Sequence, residues 1–132
     1  MSSEEHKFCG DLPAECPYAS AKPMSLTVYR MVGSNPPSPE DFVPQGPEML
    51  GISPDDPARY CESFGLSVIA DPEGFQATRR LVKSTRKKLL IACGTITPDS
   101  GVVAHTPSKA RHNHHTWWIY EGVSPHTLFK VV

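Results

Sequence analysis

The chain is short of charge, short of aromatic residues and without any long apolar run. Charged residues make up 20% and aromatic residues 8% of its 132 positions. No apolar stretch approaches the ~18–20 residues of a membrane-spanning helix, so no membrane partner is expected. The opening residues, MSSEEHKFCG, are polar and acidic and lack the apolar segment of a secretory signal. There is no CxxC pair, which argues against a zinc ribbon or a thioredoxin-type redox motif. With no export signal, the four cysteines (Cys9, Cys16, Cys61 and Cys93) are expected as reduced thiols in the cytoplasm. Internal repeats are also lacking. Hydrophobic residues still reach 39%, too many for a chain that stays disordered.

What is present is unevenly spread. The formal net charge is only −1, from 13 basic and 14 acidic residues. Residues 1–63 hold four basic and ten acidic side chains, whereas residues 64–132 hold nine basic and four acidic ones. Five of the six histidines also lie in the second half. This asymmetry suggests an anionic partner for the basic half, or attraction between the halves. A solvated basic helix face would explain it equally well. Proline is frequent, with 14 residues, ten of them before residue 64. The first half is therefore expected to be mostly loop and extended chain.

The expected organisation is a proline-rich extension over residues 1–24 and one α+β domain over 25–132. Leu26–Val32 reads as a first strand, with Leu26, Val28 and Arg30 on one face and Thr27, Tyr29 and Met31 on the other. Residues 33–51 form a long loop of the kind that often serves function. A short helix follows, with Asp56 as N-cap, Pro57 at its first position and Gly65 closing it. Leu66–Ala70 is a second strand. Asp71 and Pro72 suggest the cap and first position of a second helix, which turns Phe75 and Val82 inward and Arg79, Arg80, Lys83, Arg86 and Lys87 outward. Strands are expected over residues 89–96, 102–104, 114–121 and 127–132, because these stretches are apolar and turn-bounded. Strands that cluster, rather than alternate with helices, imply a mostly antiparallel twisted sheet carrying two short helices. The expected core includes Val28, Leu66, Val68, Phe75, Leu90, Ile91, Trp117, Ile119, Leu128 and Val131.

The densest chemical signal is RHNHHTWWIY, Arg111–Tyr120. On a strand, His112, His114, Thr116, Trp118 and Tyr120 would share one face. His112 and His114 have the spacing of two metal ligands, with His105 or Cys93 as a third, but zinc is not the favoured reading. His6, Cys9 and Cys16 could form part of another metal site, though an ordinary tail explains them better. A pocket for a phosphate-bearing or nucleotide ligand fits better. Trp118 or Tyr120 would stack on a base, while Arg or His side chains, with His112, His114 and His115 at hand, would hold phosphates.

Tyr29-Arg30, Gly65-Leu66-Ser67-Val68 and His114–Trp118 together resemble segments of a group of small bacterial proteins. At greater distance, an Arg on the first strand and a hydroxyl residue on a later one are similar to the ADP-ribosyltransferase-like fold, including the RES-type toxins. The resemblance implies NAD as a substrate, with Arg30 anchoring its pyrophosphate, Ser67 supporting the arginine or a ribose, and Glu121 acting in catalysis. Tyr29 would lie beside them. The family's Ser-Thr-Ser triplet and Glu-x-Glu pair are absent here. Against this enzyme reading stands a non-catalytic module that docks on a protein, or on nucleic acid through the basic half. The expected site is where Arg30, Ser67, the 105–115 loop and Trp118 converge.

Overall fold

The computed structural model describes residues 7–132. Its architecture is α+β. Six strands run β1 (Leu26–Val32), β2 (Leu66–Ala70), β3 (Leu90–Ile96), β4 (Gly101–His105), β5 (His114–Ile119) and β6 (Phe129–Val131). They form one antiparallel sheet in the order β4-β5-β2-β1-β3-β6. Three helices accompany it: α1 (Gly46–Leu50), α2 (Pro57–Glu62) and α3 (Gly74–Ser84). Two 3-10 turns, Pro39–Phe42 and Pro125–Leu128, complete the described elements.

The registers sort the side chains into two layers, because successive residues of a strand point to opposite faces. One face carries Val28, Leu66, Val68, Ala70, Ala92, Ile96, Val103 and Trp117, all buried. Loops and the two 3-10 turns cover it, chiefly through Phe42 and Leu128, with Phe129 of β6 packed against Phe42 and Trp117. The opposite face is covered by two separate pieces. Over β1, β2 and β3 lies α3, with Phe75 edge-on to Tyr29. Over β4 and β5 lie α2 and the segment before β1, around Val102, Ala104, Trp118 and Tyr120.

That first segment is fastened to the domain. Phe8 bridges to Tyr120, and Lys22 bridges to Val103 on the outer edge of β4. Backbone bonds such as Lys22 N–H to the Val103 carbonyl (3.1 Å) protect an edge that would otherwise offer unpaired groups. A disulfide joins Cys16 to Cys61 at the end of α2. This corrects the expectation of reduced thiols. Cys9 and Cys93 remain free.

Local signals explain most boundaries. Asp56 caps α2 by accepting the Arg59 N–H, and Pro57 occupies the first position, as its fixed φ favours. α3 departs from expectation: it starts at Gly74 after Glu73, so Asp71 is not its cap. Packing decides this start. A Cβ on Gly74 would meet the Tyr29 ring and lie 2.6 Å from the Ile69 carbonyl oxygen, so only glycine lets the helix sit so close. Leu90, expected in the core, is 39% exposed.

Candidate functional site

α3 packs over β1, β2 and β3, whereas α2 packs over β4 and β5. Between them lies a cavity of about 300 Å³. Its floor is the middle of the sheet: Tyr29, Met31, Ser67, Ile69 and His114. Thr78 and Leu81 of α3 form one wall, Glu62, Ser63 and Gly65 at the end of α2 the other. Val43, Pro44, Gln45 and Leu50 stand at one rim and Arg111 at another.

The cavity opens where β1 and β2 part. β1 keeps seven registered pairs with β3 but only two with β2, Val28–Ala70 and Tyr29–Ile69. Arg30 fills the split. Its Nη1 donates to the Ser67 carbonyl at 2.8 Å, and its Nη2 to the Asp41 carbonyl at 2.9 Å. The guanidinium lies over the Phe42 ring, 5.3 Å from its centroid. A side chain thus replaces the backbone ladder at this point. Burial lowers the Arg30 pKa to about 10, with the Asp41 carboxylate opposing the shift, so it stays cationic at neutral pH. The Asp41 carboxylate itself organises the loop. Burial pushes its pKa up, but bonds from the Ser38 and Gly33 N–H groups and the Ser34 and Ser38 hydroxyls outweigh this and hold it below the usual range.

The polar lining is unevenly satisfied. Among the described residues, Arg30 Nε and the Thr78 hydroxyl are buried without a hydrogen-bond partner. The Tyr29 phenol is engaged, its pKa raised to about 12 by its bond with Cys93 and then by burial. Ser63 donates to the Tyr60 carbonyl at 2.6 Å. His114 Nδ1 lies 3.0 Å from the Thr106 carbonyl, which suits an Nδ1–H tautomer. Burial lowers the His114 pKa. The Thr106 bond and the Glu62 carboxylate oppose that shift, while the Arg111 and His115 charges reinforce it. Glu62 accepts a short hydrogen bond from Tyr18, which also donates to the Ala58 carbonyl at 2.9 Å.

Several expected site residues are therefore brought together and several are not. Tyr29, Arg30, Ser67 and His114 line one cavity. Glu121 does not line it; it is exposed beyond β5, where its N–H donates to the Lys7 carbonyl. Trp118 cannot stack on a base. It is 1% exposed, lies edge-on to Tyr18 and donates from Nε1 to the Cys61 carbonyl at 3.1 Å. Tyr120 is buried against Phe8. His115 points to the other face of the sheet and packs on His105. His112 lies in the turn before β5, not on the strand, and faces a second, smaller cavity. Among the described residues no three His, Cys, Asp or Glu groups gather in a metal-binding arrangement, and His112 and His114 do not share a strand. His6 lies outside the described residues. Glu62 and Thr78 were not expected at the site. Neither has a local sequence signal, since both reach it through packing.

Among the described residues no helix is long and apolar enough to cross a membrane. No family model matches this chain, and neither a curated protein nor a solved structure matches it significantly.

Proposed function

We propose that this protein binds a nucleotide-type small molecule in the cavity between α2 and α3, with an NAD-type compound as the favoured class. One observation carries the reading. Of four buried side-chain polar atoms without a partner among the described residues, two, Arg30 Nε and Thr78 Oγ1, belong to residues lining this cavity. Such orphans cost about 1–3 kcal/mol each, and both belong to residues of one cavity, where a ligand that reached them would relieve that cost. Ser67 adds an exposed hydroxyl to the floor, and Met31, Leu50, Ile69 and Leu81 add an apolar surface for a flat ring. The volume, about 300 Å³, suits one nucleoside unit better than a whole dinucleotide.

The resemblance to ADP-ribosyltransferase-like proteins gains support from Arg30 and Ser67 sharing the cavity. It loses support at Glu121, and the carboxylate available for such chemistry is Glu62. Arg30 already spends both terminal nitrogens on carbonyls, which favours a role in holding the split open over gripping a pyrophosphate. Docking on a protein partner is a second reading. It rests on the exposed Val43, Met49 and Leu50 at and near the cavity rim. The disulfide favours an oxidising compartment over the expected cytoplasm.

Calorimetric titration of NAD, adenosine and nicotinamide riboside into the protein tests the binding reading. A saturable response that weakens about tenfold in Thr78→Val is expected, because valine keeps the shape and removes the hydroxyl. No saturable heat from any of the three overturns the nucleotide reading and leaves the protein partner, sought next by pull-down.

A further inference from the structure

A second cavity, of about 100 Å³, adjoins the first and shares Ile69 and Arg111 with it. One side is the α3 face on which Glu73, Ala77 and Arg80 follow one another at helical spacing. The other is the turn from Lys109 to Asn113. Ile69 and Ala77, both buried, form its apolar base.

The turn is held in shape by its own bonds. Ser108 and Arg111 exchange backbone hydrogen bonds at 3.1 and 3.2 Å, and the Ser108 hydroxyl accepts the Arg111 N–H at 3.1 Å. The His112 ring bonds the Lys109 carbonyl at 3.1 Å, and the His105 ring bonds the His112 carbonyl at 2.7 Å. The Asn113 carbonyl accepts the Ala70 N–H at 2.9 Å, which fixes the turn to β2.

Three cations, Arg80, Lys109 and Arg111, border this small space, and among the described residues one carboxylate faces them. That carboxylate, Glu73, accepts from the Asn113 amide at 3.4 Å. Among the described residues none of the three cations forms an ion pair. Three cations gathered from a helix and a rigid turn, opposed by a single carboxylate, fit a compact multivalent anion. Arginine forks match phosphate oxygens in particular. Arg111, bordering both cavities, would touch the anion and the rest of the ligand together.

We infer that the second cavity is a phosphate subsite, so that the ligand is a nucleoside carrying a 5′-phosphate or a longer phosphate chain. This rests on the nucleotide reading of the larger cavity: the nucleoside occupies that cavity, and its phosphate passes Ile69 to reach Arg80, Lys109 and Arg111. Glu73 opposes the bound charge, which limits the gain and favours a phosphate over a carboxylate, the weaker charge.

The test compares a nucleoside, its 5′-monophosphate and inorganic phosphate by calorimetry, on the unaltered protein and on Arg80→Gln and Lys109→Gln. Both side chains are exposed, so the variants keep the fold. The monophosphate is expected to bind about tenfold tighter than the nucleoside. Each variant should remove most of that gain and leave nucleoside affinity unchanged, and added salt should shrink the gain further. Equal affinity for nucleoside and monophosphate, or a gain that survives both variants, overturns the subsite while the nucleoside pocket stands. A nucleoside that fails to bind, alongside phosphate binding lost in Arg80→Gln, overturns the pocket and keeps the subsite. Silence from all three ligands overturns both.

Discussion

Trp117 and Trp118 are neighbours in the chain and almost equally buried, at 0% and 1% exposed, yet two different kinds of structure hold them. Trp117 faces the layer under the loops. Its ring packs near Phe129 among aliphatic strand residues, and its Nε1–H has no partner among the described residues. Trp118 faces the layer under α2 and the first segment. There Tyr18 meets its edge, the Cys61 carbonyl takes its Nε1–H, and the Cys16–Cys61 disulfide ties both coverings together. One layer depends on apolar burial by chain already committed to the sheet. The other depends on a long-range cross-link and directed hydrogen bonds, because its cover is a proline-rich strap with little regular structure. The same strap holds Glu62 through Tyr18, so the second layer is also the one that shapes the candidate site.

The largest expected effect separates the layers by removing the cross-link. The disulfide spans 45 residues, and closing a loop of that size stabilises by about 4 kcal/mol in the chain-entropy account. The double variant Cys16→Ser, Cys61→Ser should lose roughly that much in urea unfolding. It should also make the strap cleavable by a glutamate-specific protease after the exposed Glu15 before the rest of the domain. Unchanged stability and an uncut strap would mean that packing alone holds the second layer, and the contrast would collapse.

A smaller effect distinguishes the two indoles directly. Trp118→Phe loses a hydrogen bond as well as volume. Trp117→Phe loses volume but also removes a buried donor that has no partner, and the two terms offset each other. Trp118→Phe is expected to cost about 1–2 kcal/mol more than Trp117→Phe. Equal costs, measured by the same urea titrations, would show that the Cys61 carbonyl contributes nothing measurable.

The smallest effect is common to both layers. His114 stands on the helix-covered face and His115 on the other, and burial lowers the pKa of each from 6.5. The unfolded chain then binds more protons than the folded one in the window below pH 6.5. Stability is full above that value and falls as pH drops through it towards the lowered folded values. Replacing either histidine with glutamine should flatten part of this fall. A stability profile that is level between pH 7 and 5 would refute the shift in both layers.

Much of the frame was legible in the residues. LTVYRMV, LSVIA and LLIACGTI are short, apolar and β-branched, and each lies in a strand. Asp56-Pro57 starts a helix where capping chemistry says it should. The helix at Gly46–Leu50 was hidden because five residues inside a proline-rich loop carry no readable period. α3 began later than its turn signals implied, because a contact with Tyr29 and Ile69 demanded glycine. At the site, alternation correctly put His114, Thr116 and Trp118 on one face. It could not tell that the strap would cover Trp118 while His114 stayed at the cavity. Arg30 and Ser67 met as expected, yet through the Ser67 carbonyl and not its hydroxyl.

By itself, then, the sequence determined most of the strand frame, the capped helix α2 and the side of the sheet to which each strand residue turns. Those follow from steric and hydrophobic periodicities that act over a few residues. Only the tertiary structure decided which cysteines pair, which carboxylate faces the cavity and which tryptophan is sealed. Cys16 meets Cys61 across 45 positions, and Glu62 displaces Glu121 at the site, because both outcomes depend on how the strap and α2 pack over β4 and β5. No local preference encodes that packing; it is selected by burial of the sheet's second face as a whole.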